Sequence, residues 1–151
     1  MTTQTNAHGT AIVLGTTGLL FIGPSGAGKS SVALSCIDAA RARGLFAALV
    51  ADDQVLLTQA GGRVVARAPA SIAGLAEMRG AGIVRVETVE AAVLHRAVLP
   101  VAPPFAERMP PEGETAEVAP GIRLPLTRLP LLPAGPPFAA LAAIHPEILK
   151  G

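Results

Sequence analysis

A chain of 151 residues, half of them apolar and 15% charged, can bury one sizeable core and is too apolar to stay disordered. A formal net charge of +1 gives no basic field for non-specific nucleic-acid binding, and with no Tyr or Trp only four Phe remain as stacking platforms. The single cysteine, Cys36, excludes an internal disulfide, and no Cys/His cluster has zinc spacing.

The first residues, MTTQTNAHGT, carry no basic stretch, and Gly15, Gly18 and Gly23 break the apolar run that follows. The expectation is neither a signal peptide nor a membrane span, with the cytoplasm as the default compartment. HGTAIVLGTTGLLFIG reads as two strands, at about residues 10–14 and 18–22, joined by a turn. His8, just ahead of the first, is placed either over a site or in a loose terminus.

The second strand stops at GPSGAGKSS, residues 23–31, where Gly23, Gly28, Lys29 and Ser30 satisfy the phosphate-loop pattern G-x-x-x-x-G-K-[ST]. Gly23, Gly26 and Gly28 free the backbone so that successive N–H groups can turn toward phosphate oxygens. Pro24 is compatible because its position need not donate. Lys29 supplies a point charge for the β- and γ-phosphates, and Ser30 offers a hydroxyl to Mg²⁺. The run Gly23, Pro24, Ser25, Gly26, Ala27, Gly28, Lys29, Ser30 and Ser31 is therefore the expected nucleotide-binding surface.

Ser30–Arg43 has helical spacing of Ala33, Leu34, Ile37 and Ala40, with Gly44 as C-cap and Cys36 as a small buried hydrophobe. LFAALVADD follows as a buried strand with an acidic end. If that strand continues, Asp52 and Asp53 point to opposite sides, one toward Mg²⁺ or a substrate and the other held by backbone. Spacing alone leaves open which is which. Residues 54–65 read as two strands across Gly61-Gly62. PASIAGLAEMRGAG reads as a short helical turn feeding a glycine-rich loop. There Glu77 reaches a metal through water and Arg79 meets phosphate or a partner chain, or the two form an ordinary surface pair.

GIVRVE is a further strand, and VEAAVLHRAVLP is helix or strand without a deciding signal. His95 within it reads as structural. Residues 100–137 hold most of the prolines, which predicts irregular connections. PFAALAAIHPEILK recovers a helix, stopped or kinked at Pro146, with His145 at its end. Apolar stretches around 98–105 and 129–141 are expected to be exposed in a homo-oligomer's interface unless the proline-rich tail covers its own core.

Taken together, these segments resemble the catalytic domain of the bacterial HPr kinase/phosphorylase family. His8-Gly9 matches the opening of its catalytic core, GPSGAGKS its phosphate loop and LVADD its acidic strand end. GLAEMRGAGI matches a signature written E-[IL]-R-G-x-G, and GIRLPLTRLP a G-[VI]-x-[VL]-P-x-x-x-x-P segment. The likeness runs in order from about residue 8 to residue 135 of a single 1–151 catalytic domain.

The resemblance implies an α/β P-loop kinase core of the HPr kinase/PEP carboxykinase-like type. That core has a mixed sheet, flanking helices and a loop-rich C-terminal half. It implies ATP with Mg²⁺, or pyrophosphate in some members, as phosphate donor, and transfer to a serine of the phosphocarrier HPr. Many members also reverse the transfer with inorganic phosphate. By the same resemblance Asp52 activates the seryl hydroxyl, and Asp53 is its neighbour on the metal side with Ser30 and Glu77. Arg79, and Arg108 in ERMP, are site arginines, and residues 103–115 form a candidate lid. Ser31 stands where many members have Glu. The length matches minimal alpha-proteobacterial forms, which resemble regulatory kinases of nitrogen-type phosphotransferase systems, and the family's hexamer is one form a homo-oligomer takes. A small-molecule P-loop kinase and a non-catalytic nucleotide-binding regulator are the competing readings. The first leaves GLAEMRGAGI and GIRLPLTRLP as coincidences, Ser31 and the short tail favour the second, and neither nucleic acid nor membrane is an expected partner.

Overall fold

Three apolar strands of the first third are buried on both faces, which requires a layer on each side. In the computed structural model these are β2 (Thr10–Leu14), β3 (Thr17–Phe21) and β4 (Ala47–Ala51). Residues 4–24, 28–78, 82–105, 109, 111–131 and 135–150 are described, without the side chains of Glu77, Met78, Val84 and Arg85. Ser25, Gly26, Ala27, Arg79 and Arg108, named above for the site, lie outside the described residues, as does the Glu77 side chain.

The central sheet has six strands in the order β11-β12-β10-β3-β2-β4, with β10 (Arg96–Val101), β11 (Thr115–Ala119) and β12 (Ile122–Pro130). β3 runs parallel to β10 and antiparallel to β2, so the sheet is mixed, as expected. Alternate residues build two cores. Ile12, Leu14, Leu19, Phe21 and Leu49 face helices α1 (Lys29–Ala42) and α2 (Pro137–Ile144). Ala11, Val13, Leu20 and Val50 face a second sheet.

That sheet is antiparallel, in the order β1-β5-β6-β9, from β1 (Gln4–His8), β5 (Gln54–Ala60), β6 (Arg63–Arg67) and β9 (Ala91–Leu94). Its inner face supplies Val55, Leu57, Val64 and Ala66. QVLLTQA and RVVAR alternate because only one face is covered, whereas AALVA is apolar throughout because both are. The layers approach closely at Gly18, where an added Cβ would lie 1.9 Å from the Val93 carbonyl oxygen.

The two early strands, α1, the acidic strand and the Gly61-Gly62 hairpin stand where the sequence placed them. LAEM, expected as part of a helical turn and loop, is instead strand β7 (Leu75–Met78), paired with β8 (Gly82–Arg85) after a short 3-10 turn at Ala70–Ile72. The undecided VEAAVLHRAVLP is the pair β9 and β10, split at His95. Residues 100–137 are more regular than their prolines suggested, because they hold β11 and the nine-residue β12. The register explains the tolerance. Leu126 N–H donates to Glu114 O, so Pro125 sits at a position that donates nothing to β11, and the β10 ladder begins only at Leu126.

Of the apolar exposure expected at 98–105 and 129–141, Phe105 at 41% is the large side chain left exposed among the described residues. Val98, Leu129, Phe138 and Leu141 are buried in the chain's own core, because α2 folds back over β12 and α1. Arg43 stacks over the Phe138 ring at 5.4 Å. Pro146 ends α2 and begins a 3-10 turn, Pro146–Lys150, as its place in the sequence predicted. Among the described residues no helix is long and apolar enough to cross a membrane.

Candidate phosphate-transfer site

β3 delivers the chain to the loop, and Ile22 N–H donates to Val98 O at 2.9 Å as the strand ends. Gly28 stands at the N-cap of α1 with φ 83°, a left-handed backbone that only glycine adopts freely. Among the described residues no side chain caps this end and no acid occupies the first turn, so the helix presents its N-terminal N–H groups and its positive end. Lys29 is 7% exposed, and its Nζ donates to Gly23 O at 2.9 Å and Pro24 O at 3.2 Å. Among the described residues it has no carboxylate partner. A buried ammonium held by neutral carbonyls beside a helix N-terminus is a site suited to an anion.

Ser30, the next residue, donates from Oγ to Asp52 Oδ1 at 2.6 Å. Thr10 Oγ1 donates to the same oxygen at 2.8 Å, and Asp52 is buried. Thr10 escaped the sequence reading. Its signal was a lone hydroxyl in an otherwise apolar strand, which reads equally well as β-branched filler. Ser31 is exposed on the next helical position.

Asp53 goes the other way, though not through strand alternation as expected. β4 ends at Ala51, and Asp53 takes φ 69°, the one non-glycine residue in the left-handed region among those described. Gly9 N–H holds its carbonyl at 3.0 Å. The turn leaves its carboxylate exposed, with Oδ1 3.5 Å from His8 Nδ1. His8 is therefore at the site rather than in a loose terminus, positioned by the ladder pair His8–Gln54 between β1 and β5.

A cavity of about 380 Å³ adjoins both acids, with Asp52, Asp53 and Gln54 on one side and Pro69, Ile72 and Leu75 among its apolar lining. Ile83, 72% exposed, also lines it. Glu77 pairs with Ile83 across the β7–β8 ladder, so the backbone of the signature segment adjoins this cavity. His95 and His145 are elsewhere and structural. His95 Nδ1 accepts from Gly18 N–H at 3.0 Å, and His145 Nε2 meets Thr127 Oγ1 at 2.6 Å. Burial, then the Arg96 charge, holds His145 below the usual histidine range, partly opposed by Glu147. Burial pushes the Cys36 thiol up to about 12, in keeping with a packed, inert side chain.

Residues 1–97, which carry the phosphate loop, both acids and the β7–β8 signature, match the family model described as HPr Serine kinase C-terminal domain. The chain belongs to this family. HPr kinase/phosphorylase of Clostridium beijerinckii is 35% identical over 86 residues, 57% of this chain, and that of Mycoplasmopsis pulmonis is 31% identical over 86 residues. The chain spans about a quarter of the length of these curated relatives, 26% in each case. The solved Hpr(Ser) kinase/phosphatase from Coxiella burnetii superposes with a TM-score of 0.73 at 25% identity, over 96% of this chain and 91% of that one. The resemblance read from the motifs thus holds for the family, its catalytic domain and its fold.

Proposed function

We propose that the chain is an ATP-dependent serine kinase that phosphorylates an HPr-like phosphocarrier protein. The observation that carries this reading is the parting of Asp52 and Asp53. One is tied to the phosphate-loop serine, and the other is exposed beside His8 at the mouth of a cavity. Together they give a phosphate side and an acceptor side across one turn of chain.

On the phosphate side, Lys29 and the α1 N-terminus take the β- and γ-phosphate oxygens. Among the described residues no cluster of three or more His, Cys, Asp and Glu stands ready for a metal. Ser30 and Asp52 instead form a hydroxyl–carboxylate pair, hard oxygen donors of the kind that hold Mg²⁺ together with phosphate oxygens. When bound, Mg²⁺ supplies neutralisation of charge on the transferring group.

On the acceptor side the seryl oxygen attacks the γ-phosphorus, the bond to the β–γ bridging oxygen breaks, and ADP leaves. The resemblance would make Asp52 the base, but its Oδ1 already accepts from two hydroxyls. Asp53 has an exposed carboxylate to receive the seryl proton, with His8 beside it. We therefore assign Asp53 to the acceptor and Asp52 to the metal. Arg79 and Arg108 remain proposed contacts of phosphate or substrate.

Mass spectrometry of an HPr-like protein incubated with this chain, ATP and Mg²⁺ tests the reading. Phosphoserine is expected. Nucleotide binding without transfer would favour a regulator, and phosphate appearing only on a small molecule would favour a different kinase.

A further inference from the structure

β3 has its phosphate loop at one end and a second cavity at the other. This cavity, about 780 Å³, takes in Gly18 near the start of β3 and is lined by residues of both sheets, from β2, β3 and β12 of one and β6 and β9 of the other. Its volume falls within the usual range for small-molecule sites. Val64 and Phe46 are part of its apolar lining, and Phe46 is an exposed aromatic at 53%.

The polar lining is one-sided. Arg63 and Arg123 both reach the cavity, and no Asp or Glu is among its described lining residues. Arg63 has no ion pair or hydrogen bond among the described residues. The Arg123 guanidinium donates through Nε and Nη2 to the neutral Thr115 hydroxyl at 3.2 and 3.0 Å. Glu117, opposite Arg123 on the β11–β12 ladder, uses its Oε1 to accept Gly121 N–H and makes no ion pair with Arg123. His95, whose Nδ1 accepts from Gly18 N–H, is also in the lining. Two uncompensated guanidinium groups beside an apolar wall are the recognition chemistry of an amphipathic anion.

We propose that this cavity binds a small organic anion, its acidic group held by Arg63 and Arg123 and its apolar body laid against Val64 and Phe46. The site is separate from the phosphate loop and does not depend on the kinase reading.

The probe is 8-anilinonaphthalene-1-sulfonate, whose sulfonate and aromatic rings match the two halves of the cavity. Fluorescence titration should show saturable binding with one site per chain, weakened at least tenfold in the Arg63→Ala/Arg123→Ala double variant. Both arginines are exposed, so circular dichroism should show the fold retained, and Arg63→Glu alone should weaken binding in the same direction. Lys29→Ala should leave dye affinity unchanged. Equal affinity in the wild type and the folded arginine variants would overturn the proposal. So would loss of the dye in Lys29→Ala, which would place it at the phosphate loop.

Discussion

Lys29 has its charge buried among carbonyls, and Asp52 has one oxygen shared by two hydroxyls. Among the described residues no carboxylate faces Lys29, so a bound anion is the better account of its buried charge. Replacing Lys29 with Ala should remove a charge-assisted contact to ATP worth roughly 1.5 to 3 kcal/mol, about a tenfold or greater loss of affinity. Calorimetry on the folded variant checks this, and equal affinity would remove Lys29 from the nucleotide site. At this scale the sequence was legible where chemistry forces residue type. Gly28, Lys29, Ser30 and the acid pair were all readable from spacing. The left-handed turn at Asp53 and the Thr10 hydrogen bond were not, because both depend on strands brought together by the fold rather than on neighbours in the chain.

Elements were legible where both faces or one face gave a clear period. AALVA could only be a strand covered twice, and α1 announced itself between a glycine loop and Gly44. β12 was hidden because Pro125 and Pro130 read as breakers. Their harmlessness depends on which way each nitrogen faces, and register decides that only after β10 and β11 are in place. The Gly18 contact is also a property of packed elements. Gly18→Ala puts a Cβ against the Val93 backbone, where no side-chain rotation relieves it. We expect a destabilisation of about 1–3 kcal/mol or more, read as a lowered midpoint in denaturant. An unchanged midpoint would mean that the two sheets are not in contact there.

At the scale of the molecule, the C-terminal segment closes the helical face of the sheet. Thr127 links β12 to His145, Arg96 donates to the same hydroxyl at 3.2 Å, and Glu147 lies 3.3 Å from His145 Nδ1. This latch carries a pH dependence whose sign follows from its burial. His145 titrates lower in the folded chain than the ordinary value of about 6.5, so at mildly acid pH the unfolded chain binds more protons. Its contribution is present above pH 6.5 and is lost as pH falls from there through the lowered folded value. Thermal melting should therefore drop between pH 7.5 and 5.5, and by less in His145→Gln. An identical drop in the variant would assign the acid sensitivity to other groups.

One turn of chain carries the neighbouring acids that the proposed mechanism divides between the phosphate loop and the acceptor. Single-turnover phosphoryl transfer from ATP to an HPr-like protein, followed across Mg²⁺ concentrations, tests that division most directly. Asp53→Asn should bind Mg²⁺ and ATP like the wild type but transfer roughly 10²–10⁴-fold more slowly, the usual worth of a positioned base. Asp52→Asn should instead shift the Mg²⁺ dependence to higher concentration. Transfer by Asp53→Asn at the wild-type rate, with Asp52→Asn slow at an unchanged Mg²⁺ dependence, would contradict the assignment and return the base to Asp52.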